Sequence, residues 1–116
     1  TWLPCPGEVL LPELRVICTP AKELCNGPDA FTVIPQGEIY LRSRQSGDEI
    51  RLYGGRKSLK KLFIDRKIPA AQRMRIPVVC DEAGILGVYS IGVNLDRSAA
   101  GESAVTIRFE KRDKGE

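Results

Sequence analysis

The chain has 116 residues, 42% of them hydrophobic and 28% charged, with a formal net charge of +3. That length holds one modest core, and that composition excludes a disordered or collagen-like polypeptide. No stretch reaches 18 uninterrupted apolar residues, and the opening "TWLPCPGEVLLPEL" lacks the basic and apolar regions of a secretory signal, so the chain reads as soluble. A start at Thr1, directly in strand-like sequence, suggests a domain cut from a longer polypeptide.

In chain order, "GEVLLPELRVICTP" alternates weakly around Pro12 and predicts two short strands joined at a proline turn. Asn26-Gly27-Pro28 signals a turn. "AFTVIP" and "GEIYLRSR" then read as a second strand pair joined through "QG", with Ile39 and Leu41 facing one way and Tyr40 and Arg42 the other. "SGDEIRLYGG" gives another strand bounded by glycines. At Ser58, a predicted N-cap, the pattern changes: Leu59, Leu62 and Phe63 recur at i, i+3 and i+4, leaving Lys60, Lys61 and Lys67 on the opposite side of the helix. Pro69 ends that helix and opens a second turn, "PAAQRMR", which Pro77 stops. "PVVCDEAGILGVYSIGVNL" predicts a hairpin turning at Asp81 to Gly84, and "SAVTIRFEKR" a final strand, with "DKGE" as a frayed tail. Strands on both sides of a short basic helical insert give an α+β, mainly β domain, the insert covering one face or end of a sheet.

Chemistry is constrained by what the chain lacks. With no histidine, Ser-His-Asp and Cys-His catalysis are excluded, and four irregularly spaced cysteines without a CxxC pair argue against zinc. Cys5, Cys18, Cys25 and Cys80 read as buried structural thiols in a reducing cytoplasm, although Cys18 and Cys25 could approach across a loop. "GGRKS" is not a P-loop, because that motif needs glycine where Arg51 and Arg56 stand. The adjacent acids Asp81-Glu82 and Asp48-Glu49 read as solvated turns. No catalytic residue and no metal ligand is expected.

Charge is the strongest signal. Between Leu41 and Arg75 eleven basic residues face three acids, a local +8 that leaves −5 for the rest of the chain. A surface so polarised favours a polyanion. Gly54, Gly55 and the hydroxyl of Ser58 at the helix start, beside Arg56 and Lys57, predict a seat for a phosphate oxygen, with Lys60, Lys61, Arg66 and Lys67 tracking its neighbours. Only Tyr53 and Phe63 could offer stacking surfaces here, the latter reading as core, so the pattern points to a duplex recognised through its backbone, above all A-form RNA.

"KSLKKLFIDRKIP" (residues 57 to 69), with the preceding Gly47-Asp48 strand and the following "GILGVYSIGVN" hairpin, resembles the C-terminal domain of bacterial tRNA(Ile)-lysidine synthetase from about Leu41 to Asp96. Residues 1 to 40 match only in general character. The resemblance implies a single tRNA-binding domain over residues 1–116, with a three-layer, β-sandwich-like fold of unusual topology like a module in the phenylalanyl-tRNA synthetase β subunit. It implies that ATP and Mg²⁺ serve a separate N-terminal ATP-pyrophosphatase domain, whose Ser-Gly-Gly-x-Asp-Ser motif this chain lacks. The parent would be a cytoplasmic ligase, a candidate homodimer, that adenylates the wobble cytidine of an isoleucine tRNA and attaches lysine. This domain would grip the acceptor stem and make no membrane contact. By position, Lys57, Ser58, Lys60, Lys61, Arg66, Lys67 and Arg73 become phosphate or sugar contacts, with Arg42, Arg44, Arg51 and Arg56 as supporting charge, and Asp65 orienting Arg66 or Lys61. The rival expectation is a stand-alone interaction module whose basic helix meets an acidic protein or a membrane surface.

Overall fold

In the computed structural model of the chain, residues 1–112 are described. Their elements are β1 (Trp2–Leu3), β2 (Gly7–Leu10), β3 (Leu14–Pro20), β4 (Ala30–Val33), β5 (Ile39–Arg42), β6 (Glu49–Leu52), β7 (Gly55–Ser58), α1 (Leu59–Asp65), α2 (Ala70–Arg73), β8 (Val78–Asp81), β9 (Gly84–Val88), β10 (Gly92–Val93) and β11 (Val105–Lys111). The predicted frayed tail lies outside the described residues.

The strands make three antiparallel sheets, ordered β1-β5-β8-β9-β10, β2-β3-β11-β4, and the hairpin β6-β7. Alternation along the strands sorts their side chains between two cores. Ile39, Leu41, Val79 and Leu86 on the five-stranded sheet meet Val16, Cys18, Phe31, Ile107 and Phe109 on the four-stranded sheet. On the other face of the five-stranded sheet, Val78, Cys80 and Val88 meet Ile50, Leu59, Leu62 and Phe63 from the hairpin and α1. The result is three layers: sheet, sheet, and a helix-hairpin cover. At about 1.5 to 3 kcal/mol for each large side chain buried, Leu59, Leu62 and Phe63 hold a helix too short to persist alone.

A bulge makes the second core possible. Val79 pairs with Gly87 but Cys80 with Ile85, so Leu86 is the extra residue in β9; Leu86 stays in the first core and Val88 turns to the second. Gly87 has no room for a side chain, since a Cβ there would lie 2.6 Å from the Phe31 ring.

Two expectations are corrected. β4 and β5 are both strands, but they do not pair: β4 lies against β11, and β5 lies between β1 and β8 in the other sheet. The segment between them crosses from sheet to sheet, held where the Gln36 N–H donates to Asp81 and the Glu82 N–H donates to the Gln36 carbonyl. The cysteines are not all buried thiols. Cys5 is bonded to Cys18, Cys25 is exposed, and Cys80 alone is a buried free thiol, its pKa raised by burial. The β2–β3 register sets Gly7 opposite Cys18, which brings Cys5, two residues upstream, to a Cα separation of 5.5 Å. The other sequence-predicted strands, the proline-turn pair β2–β3 and the β8–β9 hairpin with Asp81 opposite Gly84 stand as expected.

Candidate nucleic-acid interface

The outer layer begins at Arg44-Gln45-Ser46-Gly47-Asp48. Gly47 turns at φ +87°, and the Asp48 carboxylate accepts from the Gln45 N–H at 2.8 Å and from both Arg42 terminal nitrogens at 2.8 and 3.0 Å. Burial raises the Asp48 pKa, but these hydrogen bonds and the Arg42 charge overcome it and hold the carboxyl below its ordinary value. The Asp48 carbonyl also accepts from the Leu59 N–H at 3.0 Å, so one residue fixes both the entry to the hairpin and the start of α1.

Ser58 caps α1 as predicted, its hydroxyl accepting from the Lys61 N–H at 3.0 Å. The predicted phosphate seat is thereby corrected. The Leu59 N–H is already spent on Asp48 and the Lys61 N–H on Ser58 Oγ, which keeps only its own O–H as a donor, and Arg56 and Lys57 lie in β7, paired with β6, not in a free helix start. The C-terminal end also differs from the expectation. α1 stops at Asp65, Arg66 caps it, and Lys67 takes the left-handed conformation at φ +57°. The Lys67 N–H donates to the Ile64 carbonyl and the Ile68 N–H to the Phe63 carbonyl, a Schellman closure that ends the helix before Pro69 acts. Pro69 is the N-cap of α2, not its first residue.

The predicted cations fall into three groups. Lys57, Lys60, Lys61 and Lys67 are exposed and, among the described residues, make no ion pair or side-chain hydrogen bond. Arg44, half-buried, also lacks a direct partner among the described residues, though its charge helps to hold Asp48 ionised. Partly engaged are Arg51 and Arg56, both on Asp96 at 2.9 and 3.0 Å, Arg66 on the Ser90 carbonyl at 3.0 Å, and Arg73 on the Ile68 carbonyl at 2.9 Å. Arg42 is spent: its double hydrogen bond to Asp48 raises its pKa, and that side chain is only 20% exposed. Arg42 is therefore a brace. Asp65 is exposed and pairs with neither Arg66 nor Lys61 among the described residues.

Sequence reasoning missed Asp96, Asn94 and Arg97. Asn94 is buried; its amide donates to the Ile85 carbonyl and its oxygen accepts from the Arg51 and Asp96 N–H groups, which sets Asp96 beside the hairpin. The Arg51 hydrogen bond, aided by Arg56 against some desolvation, holds the Asp96 carboxyl below its usual range. Asp81 is no solvated turn acid. Its side chain is fully buried and accepts from Gln36 N, Ala83 N and both terminal nitrogens of Arg97, which together outweigh desolvation and lower its pKa. No local pattern marks the partners Asp81–Gln36, Asp81–Arg97, Asp96–Arg51 and Asp96–Arg56, which lie 16 to 45 residues apart.

A groove of about 930 Å³ runs between Leu11–Leu14 and Met74–Pro77, with Lys111 on its wall; Lys57, Lys60, Lys61 and Lys67 do not line it, and two of its charges are paired, Arg75 on Glu13 and Arg42 on Asp48. Exposed lysines outside any groove suit a charged ribbon better than an enclosed small molecule.

The TilS substrate C-terminal domain family model matches residues 39–110. The chain belongs to this family. Against tRNA(Ile)-lysidine synthases it is 41% identical over 78 residues to that of Clostridioides difficile strain 630, covering 66% of the chain and 17% of the relative. The Exiguobacterium sibiricum enzyme is 35% identical over 94 residues, covering 72% of the chain and 23% of the relative. The chain thus spans less than a quarter of the curated relatives it matches. A solved TilS C-terminal domain superposes with a TM-score of 0.82 at 27% identity, covering 98% of both chains. The family frame therefore extends through residues 1–40, where sequence likeness is only general.

Proposed function

We propose that this chain is the tRNA-gripping domain of a tRNA(Ile)-lysidine synthase and that its outer layer docks on the acceptor stem of the isoleucine tRNA. The observation that carries the reading is the set of four exposed lysines, Lys57, Lys60, Lys61 and Lys67, without protein partners among the described residues, on a packed layer of a TilS family member. Ammonium groups placed on neighbouring phosphates release condensed counterions, and an A-form stem is read through its shape, 2′-hydroxyls and backbone. Arg44, Arg51, Arg56, Arg66 and Arg73 retain further N–H donors for the same ribbon. Ser58 acts indirectly, by holding the helix start.

The chemistry belongs elsewhere. The chain lacks a Ser-Gly-Gly-x-Asp-Ser stretch and, among the described residues, has no cluster of three His, Cys, Asp or Glu side chains fit to hold a metal ion. ATP and Mg²⁺ are assigned to a separate N-terminal ATP-pyrophosphatase domain of a cytoplasmic parent enzyme, which would adenylate the wobble cytidine and join lysine to it, alone or as a homodimer. No chemical step runs through this chain.

Competition binding tests the reading. An acceptor-stem minihelix should displace labelled tRNA from the chain, and an anticodon stem-loop should not. Displacement by the anticodon stem-loop alone would overturn the assignment to the acceptor stem, and binding to acidic peptide or anionic vesicles without tRNA binding would favour the stand-alone interaction module.

A further inference from the structure

Tyr53 stands apart from the other tyrosines. Tyr40 packs edge-on to Trp2 at 5.5 Å and Tyr89 against Phe109 at 5.1 Å, whereas Tyr53 is 93% exposed. It occupies the tip of the β6–β7 hairpin, in the turn Tyr53-Gly54 between the paired residues Leu52 and Gly55. The hairpin beneath it is fixed. Ile50 is fully buried in the second core, Leu52 packs against that core, and the Leu95 N–H donates to the Arg51 carbonyl at 2.9 Å.

The cations on the strands below the turn are ordered too. Arg51 and Arg56 are opposite one another in register and so share a face of the hairpin. Each gives one hydrogen bond to a different oxygen of Asp96, which Asn94 holds in place. A guanidinium has five N–H donors, so each arginine keeps most of its capacity for a phosphate. The tip therefore combines an open aromatic face with two oriented guanidinium groups. Paired bases inside a duplex expose no ring face, whereas an unpaired nucleotide offers one together with its own phosphate.

We propose that Tyr53 is a stacking platform for an unpaired nucleobase next to the duplex that the lysines track, and that Asp96 is the positioning residue that holds Arg51 and Arg56 for its phosphate. The proposal rests on the RNA-binding reading above. β7 joins the turn to α1 in four residues, about 13 Å of extended chain, which separates the ring from the helix lysines enough for each to meet a different part of one RNA.

The test compares a blunt RNA minihelix with the same minihelix carrying a four-nucleotide 3′ overhang, measured by fluorescence anisotropy. The wild-type chain should prefer the overhang RNA, and Tyr53→Ala should lose about 5- to 100-fold in affinity for it with no change for the blunt RNA. Tyr53→Phe should keep the preference, since the ring face and not the hydroxyl carries it. Asp96→Asn adds net positive charge. A purely electrostatic role predicts tighter binding of both RNAs, and positioning predicts a smaller overhang preference. An overhang preference that survives in Tyr53→Ala, or an equal loss on both RNAs, overturns the inference and leaves the RNA-binding reading intact. A wild-type chain that binds neither RNA overturns both.

Discussion

The two faces of the five-stranded sheet are covered in different ways. On one, a second sheet closes a core around Phe31, Val16 and Ile107, and the neighbouring charge, Arg97, is committed to the buried Asp81. On the other, a two-stranded hairpin and a seven-residue helix close a smaller core around Phe63, Leu59 and Ile50, and their outward side keeps four lysines without protein partners among the described residues. The contrast is one of commitment: Arg97 is spent on a buried partner, whereas the four lysines of the outer layer are left for the ligand proposed above.

Breaking the inner side should have the largest effect. Arg97→Met leaves the Asp81 carboxylate buried without its main partner and should cost about 3 to 5 kcal/mol in urea unfolding. Because the folded-state pKa of Asp81 is lowered, the stability it contributes is fully present above the ordinary carboxylate value of about 4 and is lost as pH falls through the folded value. The gap between wild type and Arg97→Met should therefore narrow in acid. A gap that stayed constant from pH 7 to pH 2 would contradict the role given to the pair.

Truncating each core sharpens the comparison. Phe31→Ala and Phe63→Ala should each cost about 3 to 5 kcal/mol, since both rings are fully buried. Measured on the folded fraction, tRNA affinity should survive Phe31→Ala and fall with Phe63→Ala, which loosens the lysine-bearing layer. Equal affinities in the two variants would show that the layers are not functionally distinct.

The smallest effect has opposite signs in the two assays. Lys67 sits at φ +57°, a conformation that costs a non-glycine residue about 1 kcal/mol. Lys67→Gly should raise the melting temperature while weakening tRNA binding.

Much of this division was legible in the sequence because its signals are local. The 3.6-residue period of Leu59, Leu62 and Phe63, the Ser58 cap and the strand alternation each depend on neighbours a few residues away, and each stands in the structure. The missed features are tertiary. Periodicity cannot say that β4 and β5 join different sheets, that a bulge turns Val88 to the helix side, or that the register of β2 on β3 delivers Cys5 to Cys18. Nor can charge counting distinguish a free cation from a braced one. Arg42 and Lys60 score alike in sequence, yet Arg42 belongs to Asp48 and Lys60 to the solvent.

The most direct test of the unspent outer charge is the salt dependence of tRNA affinity. Each lysine that neutralises a phosphate should contribute about 0.9 to the slope of log K against log salt, so replacing Lys57, Lys60, Lys61 and Lys67 together with alanine should lower that slope by about 3 to 4. Replacing Arg75, which is paired with Glu13, should change it little. A quadruple variant that is folded and keeps the wild-type slope would contradict the account.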